Sequence, residues 1–342
     1  MRVPYTRFHG FGRSGVLTFI YKRFLNLVML VVLASSLGYF LAATALDPRA
    51  NFEGRNPPIP ESTIDHKLDA LNMNTKTPIL ERYVTWVGDV VHGDLGTTLS
   101  ENSVNNEISR RIWVSLRLLL IGSILGSVLG VLVGVFSAVR QYKFFDRSFG
   151  IISFILLSTP VFLLAILLKF GAINFNNRIG TTFFYTVGEY TPELGGGTWT
   201  LLVNRLQHLI LPTLSITLGG VAFYSRYQRN AMLDVLSSDH LRTARAKGLT
   251  KRQALFKHGL RVAILPMTTF FAYSFGLLIT GAVFTETIFG WNGMGQWFII
   301  SVQANDVNAV SAIVLFSAVL VLLSGFIADV ATAALDPRVR LR

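Results

Sequence analysis

The 342-residue chain contains no cysteine, which removes disulfides, thiolate nucleophiles and cysteine metal ligands together. Loops facing an oxidising compartment must therefore be held by packing and hydrogen bonds alone. Charge is scarce as well: 15% of residues are Asp, Glu, Lys or Arg, against about a quarter in ordinary soluble domains. Long stretches carry no charge and short stretches carry nearly all of it. There is no Gly-x-x-x-x-Gly-Lys-Ser/Thr phosphate loop, so any nucleotide hydrolysis must come from another polypeptide. The six histidines are scattered and form neither His-Glu-x-x-His nor any metal-ligand cluster.

What fills the chain instead is apolar: 51% of residues are hydrophobic and the mean hydropathy is +0.49. Six segments are long enough, or nearly so, to cross a hydrocarbon core of about 30 Å, which takes roughly 20 helical residues. They are Phe24–Leu46, Ile112–Val139 with Arg117 near its start, Ser148–Leu168 with Pro160 inside, Leu209–Ser225 with Pro212 and Gly219-Gly220, Val262–Thr285 and Val307–Ala328. Helices are expected throughout, because an open strand would leave backbone groups unpaired in lipid. The predicted fold is all-α: a polytopic membrane bundle of six transmembrane helices with a small extracytoplasmic cap between the first two.

Basic residues orient the bundle. Segments 1–23, 140–147, 226–261 and 336–342 hold 20 Lys/Arg against four acids, whereas 47–111, 169–208 and 286–306 hold 10 against 14. Both termini are therefore expected in the cytoplasm of a multi-pass inner-membrane protein. The net charge of +12 follows topology and does not point to nucleic acid. Ala43-Thr44-Ala45 looks like a signal-peptidase site, but the apolar stretch before it exceeds the usual signal-peptide length, which favours a retained first helix.

The chain divides into an arm (1–23), a first span (24–46), a cap (47–111), a core of five spans (112–335) and a tail (336–342). Within the cap, Asn56-Pro57-Pro58-Ile59-Pro60 must be extended or turn-like, and Ile79–Val91 has helical periodicity with an apolar face. Gly122, Gly126, Gly130 and Gly134 recur every fourth residue on one face of the second span. Small residues at that spacing let another helix approach closely in lipid; tight packing is the plain expectation, and lining a pathway the sharper one. Arg117 and Lys169 stand near helix ends, from which they can snorkel to headgroups, and Asp329 lies late in the sixth span. No span carries the central Asp, Glu or Lys that a proton-coupled carrier usually needs, and no acid–base or nucleophile pair stands at membrane depth for an intramembrane hydrolase.

Segment 226–261 is the most informative. Ser238 or Asp239 is placed to cap a short helix, Leu241, Ala244 and Arg245 share neighbouring helical positions, and Gly248 is placed as a left-handed stop. A second, basic helical stretch over 251–258 leads into the fifth span. The pattern predicts a helix–turn–helix elbow projecting from the membrane. A surface helix for anionic headgroups is the simpler alternative.

Here the chain resembles the integral-membrane subunits of binding-protein-dependent ABC importers, in the dipeptide/oligopeptide branch. That superfamily carries a Glu-Ala-Ala-x-x-x-Gly coupling loop, and Arg242-Thr243-Ala244-x-x-x-Gly248 has its spacing with Arg242 in place of the glutamate. The branch typically reads Tyr-x-Arg-Thr-Ala-Arg-Ala-Lys-Gly-Leu; this chain reads His240-Leu241-Arg242-Thr243-Ala244-Arg245-Ala246-Lys247-Gly248-Leu249, departing only at His240. Also similar are Arg226-Tyr227-Gln228-Arg229-Asn230-Ala231-Met232, the pair His258 and Pro266, Glu286-Thr287-x-Phe289-x-x-x-Gly293-x-Gly295, Gly93-Asp94-Leu95-Gly96 and the final Leu335-Asp336-Pro337-Arg338.

The resemblance implies half of a translocation pathway in an ATP-driven importer for di- or oligopeptides. Its partners would be a second, homologous permease chain, two ATPase subunits that carry ATP and Mg, and an extracytoplasmic peptide-binding protein, with lipid around the bundle. This chain itself would bind no cofactor and no metal. Residues 239–249 and His258 would receive the ATPase stroke; for His258 a helix-end role is the plainer reading. Glu286, Phe289, Gly293 and Gly295 would form a gate or receptor-facing loop, where a turn cap is the plainer reading. Two alternatives remain: a permease of the same type for nickel or another small solute, or an ATP-independent secondary transporter.

Overall fold

The computed structural model describes residues 13–54 and 56–335. The first twelve residues of the arm and the tail 336–342, with its Asp336-Pro337-Arg338 stop, lie outside the described residues. Among the described residues the regular structure is helical, apart from one isolated bridge between Thr97 and Ser103.

Two long parallel helices form the centre. These are α4 (Val104–Val139) and α7 (Thr198–Leu236), which follow α1 (Arg13–Ala45), α2 (Glu61–Ala70) and α3 (Ile79–Val91) in the chain. Every glycine of the four-residue repeat on α4 faces α7. A Cβ on Gly122 would come within 2.8 Å of Ile216, one on Gly130 within 2.6 Å of Tyr224 Cβ, and one on Gly134 within 2.5 Å of the Ser225 carbonyl oxygen. Gly126 meets Gly220, where a Cβ on either would sit 3.1 Å from the other's Cα. Backbones this close allow dispersion contacts that bulkier residues would prevent.

Among the described residues, four helices are long and apolar enough to span a bilayer: Ile20–Ala45 within α1 (Arg13–Ala45), α4, α7, and Val307–Val330 within α12 (Val307–Leu335). The expected third span is not one rod. It is a pair, α5 (Phe144–Ser158) and α6 (Val161–Ile179), with axes 106° apart. Pro160 at the junction has no N–H to donate, and Thr159 before it is extended at φ −92°, ψ 121°. The expected fifth span falls within α10 (Leu260–Phe289). Between α10 and α12 lies an unanticipated short helix, α11 (Met294–Gln303). Helices α4 and α7 also extend beyond the apolar windows, so the connection after α6 shortens to residues 180–197.

At one end of the bundle, which we call the cap end, the segment after α1 folds through a 3-10 turn (Pro48–Phe52) into α2 (Glu61–Ala70) and α3 (Ile79–Val91). Their apolar faces close on α1 and α12 through Leu68, Met73 and Trp86 against Tyr39, Ala42, Val307 and Val310. Polar ties fix the cap to the α11–α12 corner. Asn308 donates to the carbonyls of Leu71 (2.9 Å) and Thr97 (3.0 Å), Leu99 N–H donates to Asp306 (2.8 Å), and Asn51 donates to the Ala304 carbonyl (2.8 Å). Arg49 pairs with Asp65, and the Lys67 ammonium beside Glu101 holds that exposed carboxyl below its ordinary range. At the opposite end Arg23 on α1 pairs with Asp329 on α12 at 3.2 Å, which gives that late-span acid its partner. Arg117 and Lys169 also have protein partners: Glu189 at 2.9 Å and the Ile288 carbonyl at 2.5 Å.

Candidate functional site

Opposite the cap, α7 ends at Leu236 and the chain turns through α8 (Asp239–Ala246) and α9 (Lys251–Ala254) into α10. Residue spacing divides α8 into two faces. Leu241 and Ala244 point inward and pack with Ala138, Met232, Val235, Ala254, Leu255 and Ala263. Asp239, His240, Arg242, Thr243, Arg245, Ala246 and Lys247 stay exposed. The elbow is thus seated on the ends of α4, α7 and α10 by apolar contact, and its outer surface is basic.

Two turns hold its shape. Gly248 has φ +91°, a region that costs an L-residue roughly 1–2 kcal/mol. Gly248 N–H donates to Arg245 O at 3.0 Å and Leu249 N–H to Ala244 O at 3.4 Å, the paired bonds of a Schellman stop, with Leu249 half-buried against the inner face. Two residues on, Thr250 and Gln253 form a reciprocal capping box at the start of α9. Its Thr-x-x-Gln spacing is readable in the sequence but was hidden among basic residues. The expected side-chain cap on α8 is absent: Ser238 holds the cap position, yet its hydroxyl donates back to Val235 O at 2.5 Å.

The basic stretch after Gly248 is shorter as a helix than its sequence suggests. A π-helical turn, Leu255–Gly259, separates α9 from α10. The extra residue in that turn brings Leu255 and Gly259 onto the face that meets α8. A Cβ on Gly259 would lie 3.1 Å from Leu241 and 3.3 Å from Val235. His258, on the other side of this turn, is exposed. Beside the elbow, Asp146 at the start of α5 accepts two hydrogen bonds from Arg229 of α7, at 2.6 and 2.8 Å, and a third from Tyr142 N–H at 2.8 Å.

The Glu286–Gly295 stretch lies at the cap end, remote from the elbow, and is buried or half-buried except at Thr287 and Asn292. Glu286, Phe289 and Gly295 are buried. The Glu286 carboxylate accepts from Ser115 Oγ of α4 (2.5 Å) and from the N–H groups of Gly295 (2.8 Å) and Gln296 (3.1 Å), so it caps α11 from the preceding helix. Ser115 Oγ in turn accepts from Met294 N–H at 2.8 Å. The glycines make room for this clasp. A Cβ on Gly293 would stand 2.5 Å from the Glu286 carboxylate, and one on Gly295 2.6 Å from Val283 Cα. The motif spacing was visible in the sequence; Ser115, its partner 171 positions away, carried no signal. Among the described residues no group of three His, Asp or Glu stands close enough to hold a metal ion.

The family model described as "Binding-protein-dependent transport system inner membrane component" matches residues 130–341. The oligopeptide transport system permease protein OppB of Mycobacterium tuberculosis (strain ATCC 25618 / H37Rv) is 50% identical over 323 residues, covering 94% of this chain and 99% of the relative. The oligopeptide transport system permease protein AppB of Bacillus subtilis (strain 168) is 35% identical over 286 residues, covering 83% and 87%. The glutathione transport system permease protein GsiC of Escherichia coli O6:H1 is 29% identical over 329 residues, covering 96% and 100%. Among solved structures, an inward-facing conformation of the MetNI methionine ABC transporter shares the fold, with a TM-score of 0.52 at 19% identity, over 67% of this chain and 96% of that one. A basic elbow seated on a polytopic helical bundle therefore has a family: the chain belongs to the binding-protein-dependent transport system inner membrane components.

Proposed function

We infer that this chain is a permease subunit of an ATP-driven importer of oligopeptides, and that residues 239–258 receive the force of a separate ATPase. The observation that carries this reading is the elbow itself. Its inner face is fixed to three helices through Leu241 and Ala244, and its outer face is an exposed row of Arg242, Arg245 and Lys247. A push on that outer face is transmitted to the ends of α4, α7 and α10 together, because close-packed side chains transmit displacement with little compression. Two ATPase subunits with bound ATP and Mg would supply the push, a second permease chain would complete the pathway, and a substrate-binding protein would deliver cargo at the cap end. The basic elbow end is then cytoplasmic, as are both termini. Peptide cargo is supported by the names of the relatives at 50% and 35% identity.

The test is peptide uptake by vesicles holding the assembled transporter, with the parent chain compared to Gly248→Pro. Proline fixes φ near −65° and cannot supply the N–H that Gly248 donates to Arg245. ATP-dependent uptake by the parent and its loss in the variant, at equal membrane insertion, is the expected result. Uptake indifferent to both ATP and the substitution would replace this reading with that of a secondary transporter.

A further inference from the structure

Helix α3 has one more face than the protein uses. Arg82 and Trp86 are buried in the cap, with Tyr83 and Val90 half-buried beside them. Glu81, Thr85, Gly88, Asp89 and His92 form an exposed, mainly polar face. Between these faces runs a third strip in which Leu80, Val84 and Val91 are 67%, 69% and 76% exposed. At 100° per residue these three fall within one narrow arc, flanked by half-buried Val87 on the side that meets the protein. A helix resting on a water-facing surface has no reason to be apolar over that arc.

The height of α3 along α1 says what covers the strip. Tyr83 hydroxyl shares a 2.6 Å hydrogen bond with Ser36 Oγ, and its ring lies 4.8 Å from Phe40; the Trp86 ring lies 4.9 Å from Tyr39. These contacts fall over residues 36–40, inside the apolar span Ile20–Ala45, and not beyond its end. Entered at Phe24, just after Lys22 and Arg23, a hydrocarbon core of about 30 Å is left near Thr44, after roughly 20 residues at 1.5 Å each, so residues 36–40 lie about 6–12 Å short of that exit. Helix α3 therefore sits in the outer part of the cap-side leaflet, just below the level where acyl chains give way to headgroups, at the depth of about 5–10 Å typical of a surface-lying helix. Next to Ser36 and Phe40 on α1, Leu37 and Leu41 are themselves 62% and 69% exposed on a helix that faces lipid, so the strip on α3 continues a lipid-facing surface.

We propose that α3 is an interfacial membrane helix, lying in the cap-side leaflet with Leu80, Val84 and Val91 among the acyl chains and Glu81, Thr85 and Asp89 in the aqueous headgroup layer. It anchors the cap to the bilayer beside α1. Burial of such a strip follows the physics of surface-lying amphipathic helices.

The absence of cysteine makes the test direct. Leu80→Cys, Val84→Cys, Val91→Cys, Thr85→Cys and Asp89→Cys are each labelled with a nitroxide in the full-length chain, reconstituted in phosphatidylethanolamine–phosphatidylglycerol vesicles. Collision with oxygen, which concentrates in acyl chains, is compared with collision with a water-soluble nickel chelate. The oxygen-to-chelate ratio is expected to be several-fold higher at 80, 84 and 91 than at 85 and 89. Chelate-dominated collision at all five positions would overturn the proposal. So would labels at 80, 84 and 91 that are water-exposed until a second copy of the chain or a substrate-binding protein shields them, since the strip would then be a protein-docking face. A second measurement needs no substitution: an acyl-chain photoreactive lipid should label the α3 peptide of the parent chain along with α1. Labelling of α1 with none on α3 would also overturn it.

Discussion

A carboxylate with no exposed surface needs its hydrogen-bond donors supplied by the protein, and Glu286 has three. Two are the free N–H groups of the first turn of α11, and the third is Ser115 on α4. Ser115 is the hinge of this arrangement because it also receives Met294 N–H. Ser115→Ala removes one donor from a buried carboxylate and the hydroxyl that accepts from the buried Met294 amide at once. Leaving such groups unsatisfied costs about 1–3 kcal/mol. Thr287→Ala is the contrast, since that exposed hydroxyl only donates to Val283 O in its own helix. Thermal unfolding in detergent should show a clear drop in midpoint for Ser115→Ala and almost none for Thr287→Ala. Equal midpoints would mean that the clasp adds nothing to stability. The same geometry weighs against a receptor-facing role for the Glu286 side chain, which has no surface to offer.

Among the helices, lipid makes the first level of organisation readable and packing decides the rest. The apolar windows could be marked from hydropathy because the bilayer allows few other arrangements of backbone. What each proline does within them could not be read the same way. Pro212 lies inside an unbroken α7, whereas Pro160 separates α5 from α6 at 106°. The difference is tertiary: α7 runs along the whole glycine face of α4, while α5 and α6 bury only Asp146, Ser153, Ala165 and Ala172. Little packing opposes the bend there. In the elbow, Gly248 could be placed from its position after the Ala-rich stretch, but the π turn at 255–259 could not, because its seat against Leu241, where Gly259 packs, is a tertiary contact with no local pattern. The α4–α7 seam itself makes a strong prediction. Gly126→Leu drives a side chain into the Gly220 backbone at a point where neither helix can shift without disturbing Gly122 and Gly130 contacts. Overpacking of a tight core typically costs about 1–3 kcal/mol, and backbone on the far side makes this an upper-end case. Gly88→Leu, with nothing within 4 Å of its Cβ, is the control. Far less monodisperse protein after detergent extraction is expected for the first variant, with parent-like yield for the second.

Across the whole molecule the two ends are built differently, and the difference bears on how a bundle like this moves. The elbow end is joined mainly by close apolar packing of α8 on α4, α7 and α10, with the Arg229–Asp146 and Arg23–Asp329 ion pairs beside it. The cap end is stapled by directional bonds that converge on the corner between α11 and α12. Asn308 joins two separate parts of the cap at once: its single amide nitrogen serves two carbonyls, Leu71 after α2 and Thr97 before α4. Asp306, two residues earlier, holds Leu99 N–H and also caps α12 through Ala309 N–H at 3.0 Å. A movement of α12 is thus passed to the cap through short, aligned bonds, and a movement of the cap is passed back. Asn308→Ala cuts both carbonyl contacts while leaving the Leu68–Trp86 core and the α1 contact in place. The expected outcome is a cap that stays folded but is uncoupled from the bundle. By amide exchange, residues 93–103 should exchange faster in the variant, because each lost hydrogen bond at a half-buried carbonyl costs about 1 kcal/mol. Exchange within α2, α3 and the central α4–α7 pair should stay as in the parent. Faster exchange throughout the cap would instead mean that Asn308 holds the cap's own fold together; no change anywhere would place the mechanical link between cap and bundle in the apolar contacts of Val307 and Val310.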